Sequence, residues 1–199
     1  MDTSSTKPRR SARTPDRILD VAQRLMQTRG YNGFSYADVA AEIGVRKASL
    51  HHHFSTKAAL GAAVIARYTA RIAEALAEID AGEPDAAARL VRYTRLYTGV
   101  LTQGRLCLGA MLAAEIGTLP QPMQAAVRKF FQANLAWLEA VIERGRSTGA
   151  LAPQGTDAEA ARVLLCGLEG AMLIARPLKD IKGFRVTARA LLASLERRG

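Results

Sequence analysis

The chain is short of the residues that most chemistry needs. Histidine occurs only as the run His51-His52-His53, and cysteine only at Cys107 and Cys166. On a helix, neighbouring side chains point about 100° apart, so three consecutive histidines cannot share one ion as an i, i+4 pair can. The two cysteines lie far apart, form no metal-ligand spacing and no redox pair, and fit a reduced, cytoplasmic protein without a disulfide. The acidic residues are scattered along the chain and form no recognisable catalytic motif. A nucleophile and a base brought together are therefore not legible, and no enzyme, catalytic residue, metal or cofactor is expected. No glycine-rich loop that could cradle a phosphate occurs, no internal repeat, and no segment alternating as a strand does. No apolar run approaches the roughly 18 residues of a membrane span, so no membrane partner is expected. The N-terminus is polar and basic, without the apolar stretch of a secretory leader.

What the chain does have is apolar content and positive charge. It is 49% hydrophobic over 199 residues, enough for a substantial core, and it carries a net charge of +10. The first sixty residues hold 10 basic and 5 acidic side chains, the remainder 18 and 13, so charge density is about twice as high at the N-terminal end. A polyanion is the expected partner, nucleic acid before membrane.

The apolar residues recur every three or four positions throughout. This spacing predicts an all-α fold of about nine helices. Residues 1–13, rich in Ser, Thr and Arg, read as a disordered basic arm. Lys7, Arg9, Arg10 and Arg13 could reach a minor groove or simply raise non-specific affinity. Thr14-Pro15 opens a helix to Arg29, closed by Gly30. A pair of short helices follows, then a long one from Ser55 or Thr56 to about residue 81. Further helices are expected near 85–102, 105–117, 120–148, 157–176 and 180–197, with breaks at glycines and prolines that include Pro177.

The segment from Phe34 to Leu60 is the most informative. Ser35 can cap a helix that Asp38 completes reciprocally. Val39, Ala40 and Ile43 form its apolar side, and Gly44 stands at the turn. On the second helix Val45, Leu50 and Phe54 point inward. That leaves Arg46, Lys47, Ser49, His51 and His52 outward, each with a hydrogen-bond donor. A helix that packs one side and shows donors on the other suits phosphates and base edges. The motif at 35–54 has the pattern of a helix-turn-helix.

In register, Gly30, Tyr31, Ser35, Val39, Ala40, Gly44, Val45, Leu50, His53, Phe54, Lys57 and Leu60 resemble the fingerprint of the TetR family of bacterial transcription regulators. Phe34, Arg46 and His51 stand where that family often has Thr, Ser and Tyr. The resemblance implies a DNA-binding domain at 14–60, made of a three-helix module, and a helical effector-binding and dimerisation domain at 61–199. It implies DNA contacts from Ser35, Arg46, Lys47, Ser49, His51, His52, His53 and Lys57. Among these, Lys47 and His52 would read bases and His51 and Lys57 would hold phosphates, while His53 would pack or touch the backbone.

The same resemblance implies a homodimer on double-stranded palindromic operator DNA, released by a small-molecule effector. Tyr93, Tyr97, Cys107, Met111, Phe131, Trp137, Met172 and Arg176 are the expected pocket residues. Arg92 and Arg95 are further cations that an anionic ligand could meet. The interface would use the small residues and leucines of the last two helices, with Ala161, Leu168, Leu191 and Leu195 as its representatives. Cys107 has two readings. Arg105 and a helix N-terminus could favour a reactive thiolate and make the protein a thiol-switched repressor; alternatively the cysteine fills a packing gap. Cys166, between Leu165 and Gly167, is expected to be buried. A further alternative is a ligand-binding or assembly protein of the same fold without DNA binding.

Overall fold

A computed structural model describes residues 14–196; the basic arm at 1–13, and the expectation attached to it, lie outside the described residues. Nine α-helices and one 3-10 turn make up the described chain. They are α1 (Thr14–Arg29), α2 (Tyr36–Ile43), α3 (Lys47–His53), α4 (Lys57–Gly82), α5 (Ala86–Leu101), α6 (Leu108–Ala114), the 3-10 turn Ile116–Thr118, α7 (Gln121–Thr148), α8 (Asp157–Leu178) and α9 (Ile181–Ala193).

Local chemistry explains most of these boundaries. Ser35 and Asp38 form a reciprocal capping box at the start of α2, and Thr156 with Glu159 repeats it on α8. The side chains of Thr56, Asp85 and Asp180 accept from the amides of Ala59, Ala88 and Gly183, which opens α4, α5 and α9. Gly44 closes α2 at φ 73°, a left-handed conformation that costs a residue without Cβ least.

Several boundaries depart from the sequence reading, and α6 and α9 end earlier than expected, at Ala114 and Ala193. α6 begins at Leu108, not at 105, because Leu106 and Cys107 are drawn into contacts with α1 and α8. α8 runs through Pro177 to Leu178. The proline deprives only the carbonyl of Leu173 of a donor, and Leu173 lies at the surface, where water can serve it. Lys179 then ends the helix at φ 52°.

α1, α2 and α3 pack together, and α1 also lies on α4 and α6. α4 leads from this module into a bundle in which α7 packs on α4, α5, α6 and α8, and α9 on α8 and α5. Ile18, Leu25, Met26, Leu50 and Leu60 fill the first end, and Leu90, Tyr93, Leu138, Ile142, Leu168 and Phe184 fill the second. The two ends share one continuous apolar core.

α6 comes so close to α7 at Gly109 that a Cβ there would lie 2.4 Å from a ring carbon of Phe130. Phe130 is itself buried, and the ring of Phe131 lies 3.3 Å from the same position. Gly109→Ala is therefore expected to cost about 1–3 kcal/mol through overpacking, read as a lower denaturation midpoint. An unchanged midpoint would mean that the two helices can separate freely.

Candidate nucleic-acid interface and internal cavity

The second helix of the module, α3, is held by few inward groups. Leu50 is its buried residue, and Phe54 follows half-buried, with its carbonyl accepting from the Tyr36 hydroxyl at 2.7 Å. Arg46, Lys47, His51, His52 and His53 are exposed and Ser49 is half-buried. These expected contact residues therefore share one short solvent-facing surface. His51 lies against the Tyr36 ring, 4.7 Å between centroids, with Nδ1 3.1 Å from the carbonyl oxygen of Ser55. A carbonyl only accepts, so Nδ1 carries the proton and Nε2 of the neutral ring is an acceptor. Contact with a phosphate through Nε2 then requires the imidazolium form.

Two members of the expected set have structural duties. Ser35 is exposed, but its hydroxyl and amide both donate to Asp38 at 2.7 Å. These bonds hold the Asp38 carboxyl below its ordinary range. Lys57 is turned inward, against the expectation of a phosphate contact. Its ammonium donates to the Phe34 carbonyl at 2.5 Å and lies 4.6 and 4.5 Å from the ring centres of Tyr31 and Phe34. Loss of water around it pushes its pKa down, opposed by Glu115 and Asp38. The reason is geometric: Phe34, where the family often has Thr, supplies a ring and a carbonyl that hold the cation.

The bundle contains a small cavity lined by Tyr68, Ile72, Tyr93, Leu96, Tyr97, Val100, Cys107, Phe130, Asn134 and Met172. It offers ≈ 30 Å³ to the centres of water molecules, room for about two waters. Tyr93, Tyr97, Cys107 and Met172 of the sequence-based set meet there. Met111, Phe131, Trp137 and Arg176 do not line it. Met111 is half-buried beyond the α6 N-terminus, and Phe131 packs edge-on against the far side of Phe130. Trp137 stacks on Tyr93 from outside and donates to Asp80 at 2.9 Å. Arg176 donates to the Thr28 carbonyl at 2.6 Å, at the end of α1. Of the other cations, Arg95 lies in a shallow groove between α5 and α9, and Arg92 is half-buried beside Gly82. Phe130, one of the aromatics that the sequence offered as a cavity wall, does line it; Tyr68 and Asn134 were not singled out for that role, and only the packing shows that they border a void.

A polar chain runs through this apolar site. Tyr68 donates to Cys107 Sγ at 3.9 Å. The Tyr93 hydroxyl lies 3.1 Å from that of Tyr97 and 3.2 Å from Asn134 Oδ1. Tyr97 donates to Glu169 Oε1 at 3.4 Å. Cys107 is the N-cap residue of α6, but its amide goes to Met172 Sδ at 3.1 Å. Burial, followed by the Glu169 carboxylate, pushes its thiol well up from the ordinary value. The thiolate support expected from Arg105 and a helix N-terminus is thus outweighed. Cys166, by contrast, is exposed on α8.

The cavity and the module meet at a seam. Gln27 Nε2 donates to the Leu106 carbonyl at 3.0 Å, and the Leu106 amide donates back to the Gln27 carbonyl at 3.2 Å. Glu115 accepts from the amides of Tyr31 at 2.5 Å and Asn32 at 3.2 Å, and Asn32 Nδ2 donates to Thr118 at 2.7 Å. Gly30, at φ 81°, leaves the space this carboxylate occupies, since a Cβ would lie 2.7 Å from it.

The expected interface residues Ala161, Leu168 and Leu195 are buried inside the chain, and Leu191 packs over Gly167. They are apolar because the chain's own core takes them. The exposed apolar residues of the same two helices are Val163, Leu173, Ile174, Leu178 and Val186. Among the described residues no group of three or more His, Cys, Asp or Glu converges as a metal ion requires, and no helix is long and apolar enough to cross a membrane.

Residues 18–64 match the family described as bacterial regulatory proteins, tetR family, and residues 86–191 match the tetracyclin repressor-like C-terminal domain. The chain is 29% identical over 167 residues to the HTH-type transcriptional repressor NemR of Escherichia coli, covering 82% of this chain and 84% of that one. Its fold is similar to that of a TetR-family transcriptional regulator from Agrobacterium tumefaciens, with a TM-score of 0.89 and 34% identity over 92% of this chain and 97% of that one. A TetR transcriptional regulator from Legionella pneumophila is similar with a TM-score of 0.86 and 29% identity, over 94% and 100% of the two chains.

The inward placement of Lys57 has a measurable consequence. Lys57→Met keeps the length of the side chain but removes the ammonium from the Phe34 carbonyl and both rings. The expected loss is about 1.5–3 kcal/mol of stability, as for one charge-assisted hydrogen bond, with the salt dependence of DNA binding unchanged. A variant of full stability with a shallower salt dependence would place Lys57 on a phosphate instead.

Proposed function

The chain belongs to the TetR family of bacterial regulatory proteins, and from that premise we propose that it is a cytoplasmic, dimeric repressor that leaves its operator when a small molecule occupies the bundle cavity. The observation that carries the reading is the exposed donor surface of Arg46, Lys47, Ser49, His51, His52 and His53 on α3. Its opposite side packs on the module through Leu50. In this reading Lys47 and His52 face base edges, and Arg46 and His51 face phosphates. Ser35 reaches the backbone from the start of α2. Two copies of α3 would enter successive major grooves about 34–36 Å apart, so the operator is palindromic. The relative NemR carries the name of a repressor, which supports repression as the mode of control.

The dimer would form through the outward faces of α8 and α9. Val163, Ile174 and Leu178 are 59%, 63% and 67% exposed in one chain. Together with Leu173 and Val186 they form a stripe that a monomer would leave in water. Effector control would pass through the seam. Cys107 borders the cavity and its neighbour Leu106 is bonded reciprocally to Gln27 of α1. A ligand that displaces Cys107 or Tyr97 moves the carbonyl and amide that anchor α1. The groove spacing of the two modules then changes, and operator and effector weaken each other's binding by the same factor. The burial of Cys107 favours a non-covalent trigger over a thiol switch.

Anisotropy measurements with labelled DNA taken from upstream of the protein's own gene test the DNA reading. Affinity should fall steeply with salt, by roughly 0.9 in the log–log slope per phosphate neutralised. Lys47→Ala should lower affinity and also relax sequence preference. Affinity that is flat between low and moderate salt would overturn the assignment.

The interface has its own test in light scattering. The unmodified protein should be a dimer without DNA, and Ile174→Glu with Leu178→Glu should yield a folded monomer. Leu195→Glu should unfold the chain instead, because Leu195 is 4% exposed. A dimer that survives both charges on α8 would move the interface elsewhere.

A further inference from the structure

The least satisfied group in the bundle is Glu169 of α8. Its stem is half-buried, but its carboxyl end is enclosed behind Tyr97 and Cys107. Oε1 receives the long contact from Tyr97, 3.4 Å, and Oε2 is buried with no hydrogen-bond partner. The groups that face it are Cys107 at the head of α6, Tyr68 on α4 and Tyr93 and Tyr97 on α5. α7 contributes Phe130 and Asn134 to the cavity, and Phe184 of α9 stacks on Tyr97. Every titratable member of this set is an acid. Among the described residues no Lys, Arg or His borders the cavity.

Glu169 stands directly behind the cavity wall, next to the lining residues Tyr97 and Cys107. A buried carboxyl with one long hydrogen bond and one unpaired oxygen, behind a wall without a cation, is complementary to a ligand that brings a charged donor. The remaining walls agree. Tyr68, Tyr93, Tyr97 and Phe130 offer aromatic rings, whose faces attract positive charge. We propose that the ligand of this cavity is a small primary amine in its ammonium form with an apolar, preferably aromatic, body. The ammonium meets Glu169, and the body lies among Tyr68, Tyr93, Tyr97 and Phe130. The proposal rests on the reading of the cavity as the effector site and names the chemical class that site selects. The cavity as it stands has room for about two waters, so the ligand widens it. The weak Tyr97–Glu169 contact is the one it parts, and the partly exposed Ile72, Leu96 and Val100 form the side it enters by. That displacement acts on the residues beside Leu106, where α1 is anchored.

Proton linkage gives the class a signature. Burial pushes the Glu169 carboxyl up to about 7, against the lowering effect of Cys107 and Tyr97. The empty site is therefore partly protonated near neutral pH, and an ammonium ion needs the ionised form. With that value, about a tenth of the sites are ionised at pH 6 and about nine-tenths at pH 8. An amine that stays charged over this range, as a lysine ammonium does, should bind about tenfold more tightly at pH 8 than at pH 6. A neutral ligand should show no such rise.

Trp137, the single tryptophan, stacks on the cavity wall at Tyr93, 5.4 Å between ring centres. Its emission reports occupancy of the site without DNA. Titrations with benzylamine, benzyl alcohol and benzoate compare one body carrying a cation, a neutral donor and an anion. Benzylamine should bind most tightly, with the tenfold rise from pH 6 to pH 8. Glu169→Gln should weaken it at least tenfold and abolish the pH dependence, while changing benzyl alcohol by less than about threefold. Should that variant fail to fold, the pH dependence of the unmodified protein decides alone. If benzyl alcohol or benzoate binds as well as benzylamine at pH 8, the ligand class is wrong and the effector cavity stands. If none of the three alters Trp137 emission, the proposal falls. Release of labelled operator by benzylamine, measured separately, reports on the regulatory reading and not on the ligand class.

Discussion

The paired hydrogen bonds between Gln27 and Leu106 are the constraint on which the arrangement of the molecule turns. They join the end of α1 to the strap that precedes α6, and each residue both donates and accepts. Glu115 and Arg176 complete the attachment from opposite electrical signs. Glu115 takes the free amides of the turn after α1, and Arg176 takes a carbonyl at the C-terminal end of that helix, where a cation is favoured. Other polar ties of α1–α3 include the Asn32–Thr118 bond and the contacts of Arg67 on α4 with Asp16, Asp20 and Gln23. Because the attachments of the strap are directional, the proposed effector control has a defined route from the strap to α1.

The same economy of contacts explains the cavity. Five polar side chains, Tyr68, Tyr93, Tyr97, Asn134 and Glu169, are brought into an otherwise apolar bundle, at a desolvation cost that leucines would avoid. Tyr93, Tyr97 and Asn134 satisfy one another or the backbone, and Tyr68 donates to the Cys107 sulfur. The fifth, Glu169, keeps one oxygen unpaired. A core selected for stability alone would replace such a group. Its place behind the cavity wall, next to Cys107, which adjoins Leu106 of the seam, fits the ligand recognition proposed above. Cys107 belongs to this network as a protonated, buried thiol, and its amide and sulfur are as much part of the wall as the tyrosine rings.

Helix α8 shows how one element serves two demands. Its inward stripe, Ala161, Leu164, Leu168, Met172 and Ala175, completes the core. Its outward stripe, Val163, Leu173, Ile174 and Leu178, has no partner within the chain. A helix with apolar residues on two faces is suited to burial on both, as in the proposed dimer. A second copy of the chain supplies the missing side most simply.

Periodicity and capping residues carried the fold class, the order of nine helices and the helix-turn-helix, because those depend on contacts a few residues apart. The capping box of Ser35 with Asp38 and the turn at Gly44 are local and were legible as such. What only the tertiary structure decided involves choices between chemically equal alternatives. Lys57 could have faced a phosphate, but Phe34 and Tyr31 meet it from 23 and 26 residues upstream. Arg176 could have faced a ligand, but Thr28, separated from it by 148 positions, takes its guanidinium. Leu168 and Ile174 are equally apolar, and nothing in their spacing says which faces the chain's own core. The void beside Tyr97 and the unpaired oxygen of Glu169 arise from packing among five helices. No local pattern encodes them, because a cavity is defined by where side chains from distant segments fail to meet.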